Sequence, residues 1–391
     1  MEHNSRRVQQ QVRNFERTLE GYQYQEPFSR YLTQFYKQNK QMGSSDRRMN
    51  SRYCYNLFRL GKAFAENELI ERLAIAEFLC EKESALVQEF KPDWLTNDYP
   101  ILNDKIQFIT AQYGEFLDAV FPLPEHLSSS INSQEFISSH FIQPDLFIRV
   151  KRGSEQIVKA ELQKKELPFT EVSDRTIALP NGLNLQSMSS IQGLYEVQDL
   201  SSQQSLNAVE AKPNESWWDA CAASGGKSLL LLDQYPSINL MVSDVRASIL
   251  RNLDERFDIA GIKKPYRRKI LDLSNPVDHI MAKERFDGII IDAPCSGSGT
   301  WGRTPEMLSK FQLADLNTYS TLQKAIVRNA IPYLKSGSSL IYITCSVFQD
   351  ENEHIVDYIE NELNLKLESM TPILGYDRRA DSMFTAKFIK P

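Results

Sequence analysis

The chain has 391 residues, 41% hydrophobic and 25% charged, an ordinary globular composition long enough for two or three domains. Wholesale disorder, a fibrous protein and a peptide toxin are thereby excluded. The net charge of −6 hides an asymmetry: residues 1–60 hold eleven Lys/Arg against five Asp/Glu, a net of +6, which leaves −12 on residues 61–391.

Phosphate contacts are local, so the basic segment suits nucleic acid although the protein is acidic overall; a solvated helical face is the plainer reading. No uninterrupted apolar run approaches the roughly 18 residues of a membrane-spanning helix, and the opening MEHNSRRVQQQVRN is polar where a secretory signal is apolar. A soluble cytoplasmic protein with no membrane partner is expected. Five scattered cysteines, with no CxxC pair or Cys/His cluster, argue against a disulfide framework and against a metal.

From about Asn14 to Lys91 apolar residues recur at three and four positions, as in Leu69, Leu73, Ala76 and Leu79, which predicts a helical domain. FPLPEHLSSSINS (121–133) gathers Pro and Ser and reads as a linker. Residues 144–185 pair a strand-like LFIRV with a helical SEQIVKAELQKKE, then PFTEV and TIALPNG, a small mixed α/β piece. Its Arg149, Lys151, Arg152, Lys159, Lys164 and Lys165 offer a second surface for RNA. From Trp217 onward β-rich runs (WWDAC, INLMVSD, KILDL, FDGIIIDAP, SLIYITCS) alternate with helical stretches. That alternation predicts an α/β, Rossmann-like, doubly wound and mostly parallel sheet, with ligands beyond the carboxyl ends of the strands.

Asp219-Ala-Cys-Ala-Ala-Ser-Gly-Gly-Lys-Ser228 ends a strand and opens a helix, so small residues let backbone N–H groups approach a ligand. A P-loop is the rival reading, but its first glycine would fall at Cys221, whose side chain obstructs the tight phosphate turn. Asp244 ends the next strand, where a carboxylate can accept both ribose hydroxyls, and Asp272 ends a third, where it can accept from an adenine amino group. The plainer reading of both acids is helix capping after a strand. An adenosine ligand without a polyphosphate, such as S-adenosylmethionine, fits this set.

Asp292-Ala-Pro-Cys-Ser-Gly-Ser-Gly299 and Thr344-Cys-Ser346 follow the fourth and fifth strands, which lie side by side in a doubly wound sheet, about 5 Å apart. Cys54 and Cys80, on helical faces, suit the usual role of a buried small hydrophobe; Cys295 and Cys345, at polar strand ends, suit it less. Two thiols near a methyl sulfonium match one chemistry. Cytosine carbon 5 becomes nucleophilic once a thiolate adds to carbon 6, and a second thiol assists the later elimination. Asp292 can hydrogen-bond the ring nitrogen as charge develops there. A thiol of pKa about 8.5 is only a few per cent ionised at neutral pH, so the site needs positive potential or proton removal; Lys227 and the helix N-terminus are candidates.

CAASGGKS (221–228), DAPCSGSG (292–299) and TCS (344–346), in this order, resemble the Nop/Sun, RsmB-like family of S-adenosylmethionine-dependent RNA cytosine-5 methyltransferases, as do VQDLSSQ (197–203) and ADSMFTAKF (380–388). The likeness covers roughly residues 141–391, and SSDRRMNSRYCYNLFR (44–59) resembles the NusB-like RNA-binding domain of bacterial members. It implies Cys345 as nucleophile, Cys295 as the thiol that helps release product, and Asp292 as the base-binding residue beside the cofactor. It implies that Cys221, Ala222, Ala223, Ser224, Gly225, Gly226 and Lys227, with Asp244 and Asp272, hold S-adenosylmethionine. Three departures stand out: Ser224 where the family usually has Pro, Ile249 where an arginine is common with Arg251 two residues on, and Gly302-Arg303 where two arginines are usual.

The expected organisation is a NusB-like helical domain (1–125), a small α/β RNA-contacting unit (141–212) and the catalytic domain (213–391). The expected partner is RNA, ribosomal rather than transfer RNA, free or in a ribosomal subunit or its precursor. The target base is unpaired or flipped out. A non-catalytic RNA-binding assembly factor and a P-loop NTPase are the alternatives. Trp301 reads either as a base-stacking residue or as core beneath a loop, and Lys263–Lys269 as a solvated turn before a strand.

Overall fold

In the computed structural model, which describes residues 2–185 and 188–391, the polypeptide clusters into two units. The first comprises residues 1–125, 132–143 and 301–312. Its main helices are Glu2–Glu20, Phe28–Gln38, Ser44–Phe58, Leu69–Cys80 and Leu102–Tyr113. The helical region thus extends beyond Asn14–Lys91 at both ends. Val8, Val12 and Phe15 form one buried stripe at i, i+4, i+7 on the first helix, diluted in the sequence by the polar residues between them. Phe28 anchors an aromatic core, its ring 4.8–5.3 Å from those of Tyr22, Tyr55 and Phe58.

Two of the eleven basic residues of the amino-terminal stretch are spent inside this unit. Arg59, 1% exposed, donates to the carbonyls of His140 and Gly302 and to Gln143 Oε1. Arg52 forms an ion pair with Glu77, which is fully buried and also accepts from Asn56 and Ser84. Trp301 belongs to this core: it is 1% exposed, between the rings of Phe121 and Phe311, so the core reading holds and base stacking does not.

The second unit comprises residues 126–131, 144–300 and 313–391. The segment expected to be a linker is packed where it enters this unit. Ser128 donates its backbone N–H to the Val347 carbonyl and its hydroxyl to Glu353, and His126 Nδ1 lies 2.8 Å from Asp350. A four-stranded antiparallel sheet follows, built from β1 (Leu146–Val150), β2 (Thr170–Ser173), β3 (Thr176–Leu179) and β4 (Tyr195–Val197) in the order β2-β3-β1-β4. Helix Glu155–Lys164 packs Val158 and Leu162 onto it. Half of the basic surface expected here is turned to internal partners. Arg149 pairs with Asp233, Lys151 donates to the Ala260 carbonyl, and Lys159 pairs with Glu171.

The larger sheet holds β5 (Ser216–Asp219), β6 (Asn239–Asp244), β7 (Arg267–Ile270), β8 (Phe286–Asp292), β9 (Leu334–Thr344), β10 (Lys366–Ile373) and β11 (Met383–Ile389). Their order is β10-β11-β9-β8-β5-β6-β7, with only β11 antiparallel to its neighbours. This is the expected Rossmann-like sheet, extended by a carboxy-terminal hairpin absent from the predicted strands. Ile289–Ile291 and Leu340–Ile343 are fully buried, as central strands covered on both faces must be. Alternate residues feed two cores: Trp218, Met241, Ile289, Ile291 and Tyr342 on one face, Trp217, Val242, Ile290, Ile341 and Ile343 on the other. Gly288 is required where Trp217 lies flat on β8, since a Cβ there would come within 2.5 Å of the indole. β7 begins earlier than expected, so the basic cluster 263–269 is partly strand rather than solvated turn. Arg267 pairs there with Glu284, Arg268 with Asp254, and Lys264 caps the carbonyls of Ser237 and Ile238.

Candidate active site

The parallel register sets Asp292 of β8 against Ile343 of β9, so the loops that leave these strands start level with each other. The loop after β8 carries Cys295 and the loop after β9 carries Cys345, and their sulfurs lie 3.3 Å apart, both thiols free and partly exposed. The spatial pairing read from the two strand ends is therefore present. The hydrogen bond to Cys345, then burial, then the charges of Cys345 and Glu351 push the Cys295 thiol well above its ordinary range. Two thiols this close do not ionise independently: charge on one opposes ionisation of the other.

A residue that sequence reasoning missed ties the two loops together. Glu351, fully buried, accepts at Oε1 from the Ser296 N–H (2.8 Å) and Gln323 Nε2 (3.0 Å), and at Oε2 from the hydroxyls of Ser296 and Ser346 (2.5 Å each). Burial raises its carboxyl above the ordinary range, opposed by these bonds. The only signal in the sequence was an acid six residues after Cys345, within reach of both loops once the strands are adjacent.

The glycine loop joins β5 to helix Gly226–Gln234. Gly225 has φ +84°, and a Cβ there would come within 2.9 Å of Leu253 and Phe257, so only glycine fits the turn. Asp244 lies at the end of β6, where its carboxylate accepts from the Ala223 N–H (3.1 Å) and the Arg246 N–H (2.9 Å) and pairs with the Arg246 guanidinium. Arg246 thus supplies a cation beside this acid, although Ile249 and Arg251 stand where the family's arginine was sought. Ser224, the departure from Pro, sits 3.3 Å from Arg256, which also pairs with Glu196. Cys221 is held neutral by burial. Lys227, 8% exposed, bridges Asp292 Oδ2 (3.2 Å) and the Ser202 hydroxyl (3.0 Å), linking the glycine loop to the end of β8. Asp272 lies two residues beyond β7, exposed, and accepts from Ser274 and Asn275; the Ser274 bonds hold its carboxyl below the ordinary range. Among the described residues no group of three or more His, Cys, Asp or Glu is arranged to hold a metal ion, and no helix is long and apolar enough to cross a membrane.

Asp219, which opens the glycine loop, is fully buried. Its Oδ2 accepts from Ser228 (2.6 Å), while Oδ1 has no partner among the described residues. Burial pushes its carboxyl up to about 7. The folded state therefore binds this proton more tightly than the unfolded chain. The associated stability is fully present below the ordinary carboxyl range and is lost as pH rises through about 7. Asp219→Asn, which keeps an acceptor for Ser228, is expected to flatten this loss, exceeding wild type in stability by a larger margin at pH 8 than at pH 5. Urea denaturation at the two pH values reads it, and equal pH dependence in both proteins would refute the assignment.

Residues 206–388 match the family model described as 16S rRNA methyltransferase RsmB/F. The chain is 31% identical over 244 residues to ribosomal RNA small subunit methyltransferase B of Shewanella oneidensis, over 61% of this chain and 56% of that protein. It is 27% identical over 313 residues to the protein of the same name from Pasteurella multocida, over 76% of this chain and 63% of that one. The chain thus spans less than two thirds of the length of these curated relatives. Among solved structures it is similar to PH0851 (TM-score 0.69, 19% identity, 93% of this chain and 95% of that one). It is also similar to NSun6 from Pyrococcus horikoshii with SFG (TM-score 0.59, 16% identity, 68% and 96%). These structural likenesses concern the fold.

Proposed function

We propose that this chain, a member of the RsmB/F branch of the Nop/Sun family through its residues 206–388, is an S-adenosylmethionine-dependent RNA methyltransferase that modifies carbon 5 of a cytosine. The observation that carries this reading is the 3.3 Å approach of Cys295 and Cys345 beyond the carboxyl ends of adjacent parallel strands. Small-subunit ribosomal RNA is the proposed substrate, supported by the names of the relatives and by the basic charge of residues 1–60.

The residues present fit the cofactor. The loop from Cys221 to Lys227 turns through a glycine that admits no side chain, and Asp244 presents an acid at the neighbouring strand end, ordered by the loop's own Ala223 N–H. Asp272 and Asp292 complete the proposed binding set. S-adenosylmethionine, when bound there, supplies an electrophilic methyl group.

The protein's residues do the rest. The Cys345 thiolate adds to carbon 6 of the base, giving an enamine whose carbon 5 is nucleophilic toward the methyl group that S-adenosylmethionine would supply. The hydrogen bond with Cys345, then burial, then the charges of Cys345 and Glu351 work against ionisation of Cys295, which supports Cys345 as the nucleophile of the pair. Once Cys345 is bonded to carbon its charge is gone, and the cause that holds the Cys295 proton most firmly goes with it. Cys295 then gives its proton to solvent water, its thiolate takes the proton from carbon 5, and the electron pair of that bond restores the ring double bond as the bond between carbon 6 and sulfur breaks and returns the Cys345 thiolate. Asp292 hydrogen-bonds the ring nitrogen as its charge changes, held in place by Lys227.

Bisulfite sequencing of total RNA from cells with and without the protein tests the substrate. The expected result is the loss of one unconverted cytosine in small-subunit ribosomal RNA. Loss of a cytosine mark in transfer RNA instead would overturn the substrate, and no change in any RNA would overturn the activity.

A further inference from the structure

We propose that the dipeptide Glu351-Asn352 positions both thiols of this reaction, its carboxylate and amide gripping Ser296, Thr344 and Ser346 beside the two cysteines and, through Gln323, Pro294. The catalytic part of this inference rests on the methyltransferase reading. Around Cys295, Glu351 Oε1 accepts from the Ser296 N–H, while Gln323, bonded to the same oxygen, donates to the Pro294 carbonyl at 3.0 Å. Around Cys345, the Thr344 hydroxyl donates to Asn352 Oδ1 (2.6 Å), Asn352 Nδ2 donates to the Ser346 carbonyl (3.0 Å), and the Ser346 hydroxyl donates to Glu351 Oε2. Pro294, Ser296, Thr344 and Ser346 are the four chain neighbours of the two cysteines, and all four are held by this dipeptide or its partner Gln323. Cross-ties between the loops, from Gly299 N–H to the Cys345 carbonyl and from Val347 N–H to Ser298 Oγ, then complete a single rigid block.

At position 351 a carboxylate accepts from all four groups that surround it. Both groups that reach Oε1 are N–H donors with no capacity to accept, so a carboxyl proton there has nowhere to point. Both hydroxyls at Oε2 donate to it. The resulting buried charge faces Cys295 across one residue and works against its ionisation until Cys345 has been consumed in the adduct. Thus the same group sets the separation of the sulfurs and the order in which they ionise. Reactive groups must be held within about 0.5 Å of their productive geometry, and misplacement by about 1 Å costs on the order of a hundredfold in rate.

The test compares Glu351→Gln and Glu351→Asp with wild type in two assays. The first measures kcat and KM for RNA, alongside melting temperature and cofactor affinity. The second, free of RNA and cofactor, follows alkylation of Cys295 by iodoacetamide against pH, with peptide mass spectrometry to assign the site. For Glu351→Gln the expected results are a kcat lower by roughly a hundredfold, a KM and cofactor affinity within about twofold of wild type, and a Cys295 alkylation midpoint moved to lower pH. Glu351→Asp restores the charge but not the reach, so its midpoint returns toward wild type while kcat stays low. An unchanged kcat or an unchanged midpoint in folded Glu351→Gln overturns the proposal. Should that variant fail to fold, Ser346→Ala removes one donor to Glu351; a lowered kcat with unaltered KM supports the proposal and an unaltered kcat overturns it. If wild type transfers no methyl group, the methyltransferase reading has failed, and the alkylation midpoints alone decide the role of Glu351.

Discussion

Replacing Cys345 by alanine is expected to abolish methyl transfer, with a loss on the order of 10⁴- to 10⁶-fold, the scale on which deletion of a covalent nucleophile operates. No step before addition to carbon 6 makes carbon 5 nucleophilic, so no slower route bypasses the missing thiol. Cys295→Ala is expected to behave differently. Cys345 remains able to attack, the methyl group is transferred, and the adduct then waits for a base to remove the carbon 5 proton. The sulfurs are 3.3 Å apart, and Ser296 and Ser298, the nearest hydroxyl residues of the same loop, are buried and bonded among themselves and to Glu351. Among the described residues, neither hydroxyl of this loop is placed to take over as the base, and RNA is retained covalently on the protein. Denaturing gels of each variant with substrate RNA read both outcomes: a slow-migrating protein–RNA band with Cys295→Ala, none with Cys345→Ala, none with both replaced. If the band appears with Cys345→Ala and vanishes with Cys295→Ala, the two roles are exchanged. If all the proteins methylate alike, the thiol mechanism is wrong.

The parts of this site that were legible in the sequence are those whose chemistry is local. A strand followed by small residues and a helix reads as a ligand loop at Asp219–Ser228, and two cysteines at the polar ends of apolar strands stand out because an ordinary buried cysteine would sit within the run. The adjacency of β8 and β9 followed from the doubly wound order, and with it the pairing of Cys295 and Cys345. Non-local features were hidden. Glu351 looks like any surface acid in QDENEHIV until two loops fold onto it, and Lys227 pairs with Asp292 across 65 positions of sequence. Burial is likewise invisible in a charge count: Arg52, Arg59 and Arg149 each add to a basic stretch yet serve interior partners. The hairpin of β10 and β11 went unseen because its first strand, with burial alternating between half-buried and exposed residues, carries no continuous apolar run. Trp301 turned inward because residues 301–312, although they directly follow the cysteine loop, belong to the helical unit.

The pairing of Asp292 with Lys227 gives the second large effect. Asp292 ends β8 three residues before Cys295, partly exposed, with Lys227 Nζ 3.2 Å from its Oδ2. Asp292→Asn preserves shape while removing the charge and the acid–base capacity at the ring nitrogen. It is expected to lower kcat by about 10²- to 10³-fold, within the range of a positioned general acid or an oxyanion donor. Lys227→Met is expected to act mainly through Asp292: the lysine is nearly buried, so its loss leaves Asp292 without the cation that orients it and frees the Ser202 hydroxyl on the other side. The two substitutions should therefore be strongly non-additive, the double variant being little worse than Asp292→Asn alone. Single-turnover methyl transfer at saturating RNA and cofactor separates this from a binding defect, because only the chemical step is then read. Multiplicative losses would mean that Lys227 acts independently of Asp292, on the cofactor or on the thiolate itself, and the bridge between the glycine loop and the base-binding acid would then have no part in the reaction.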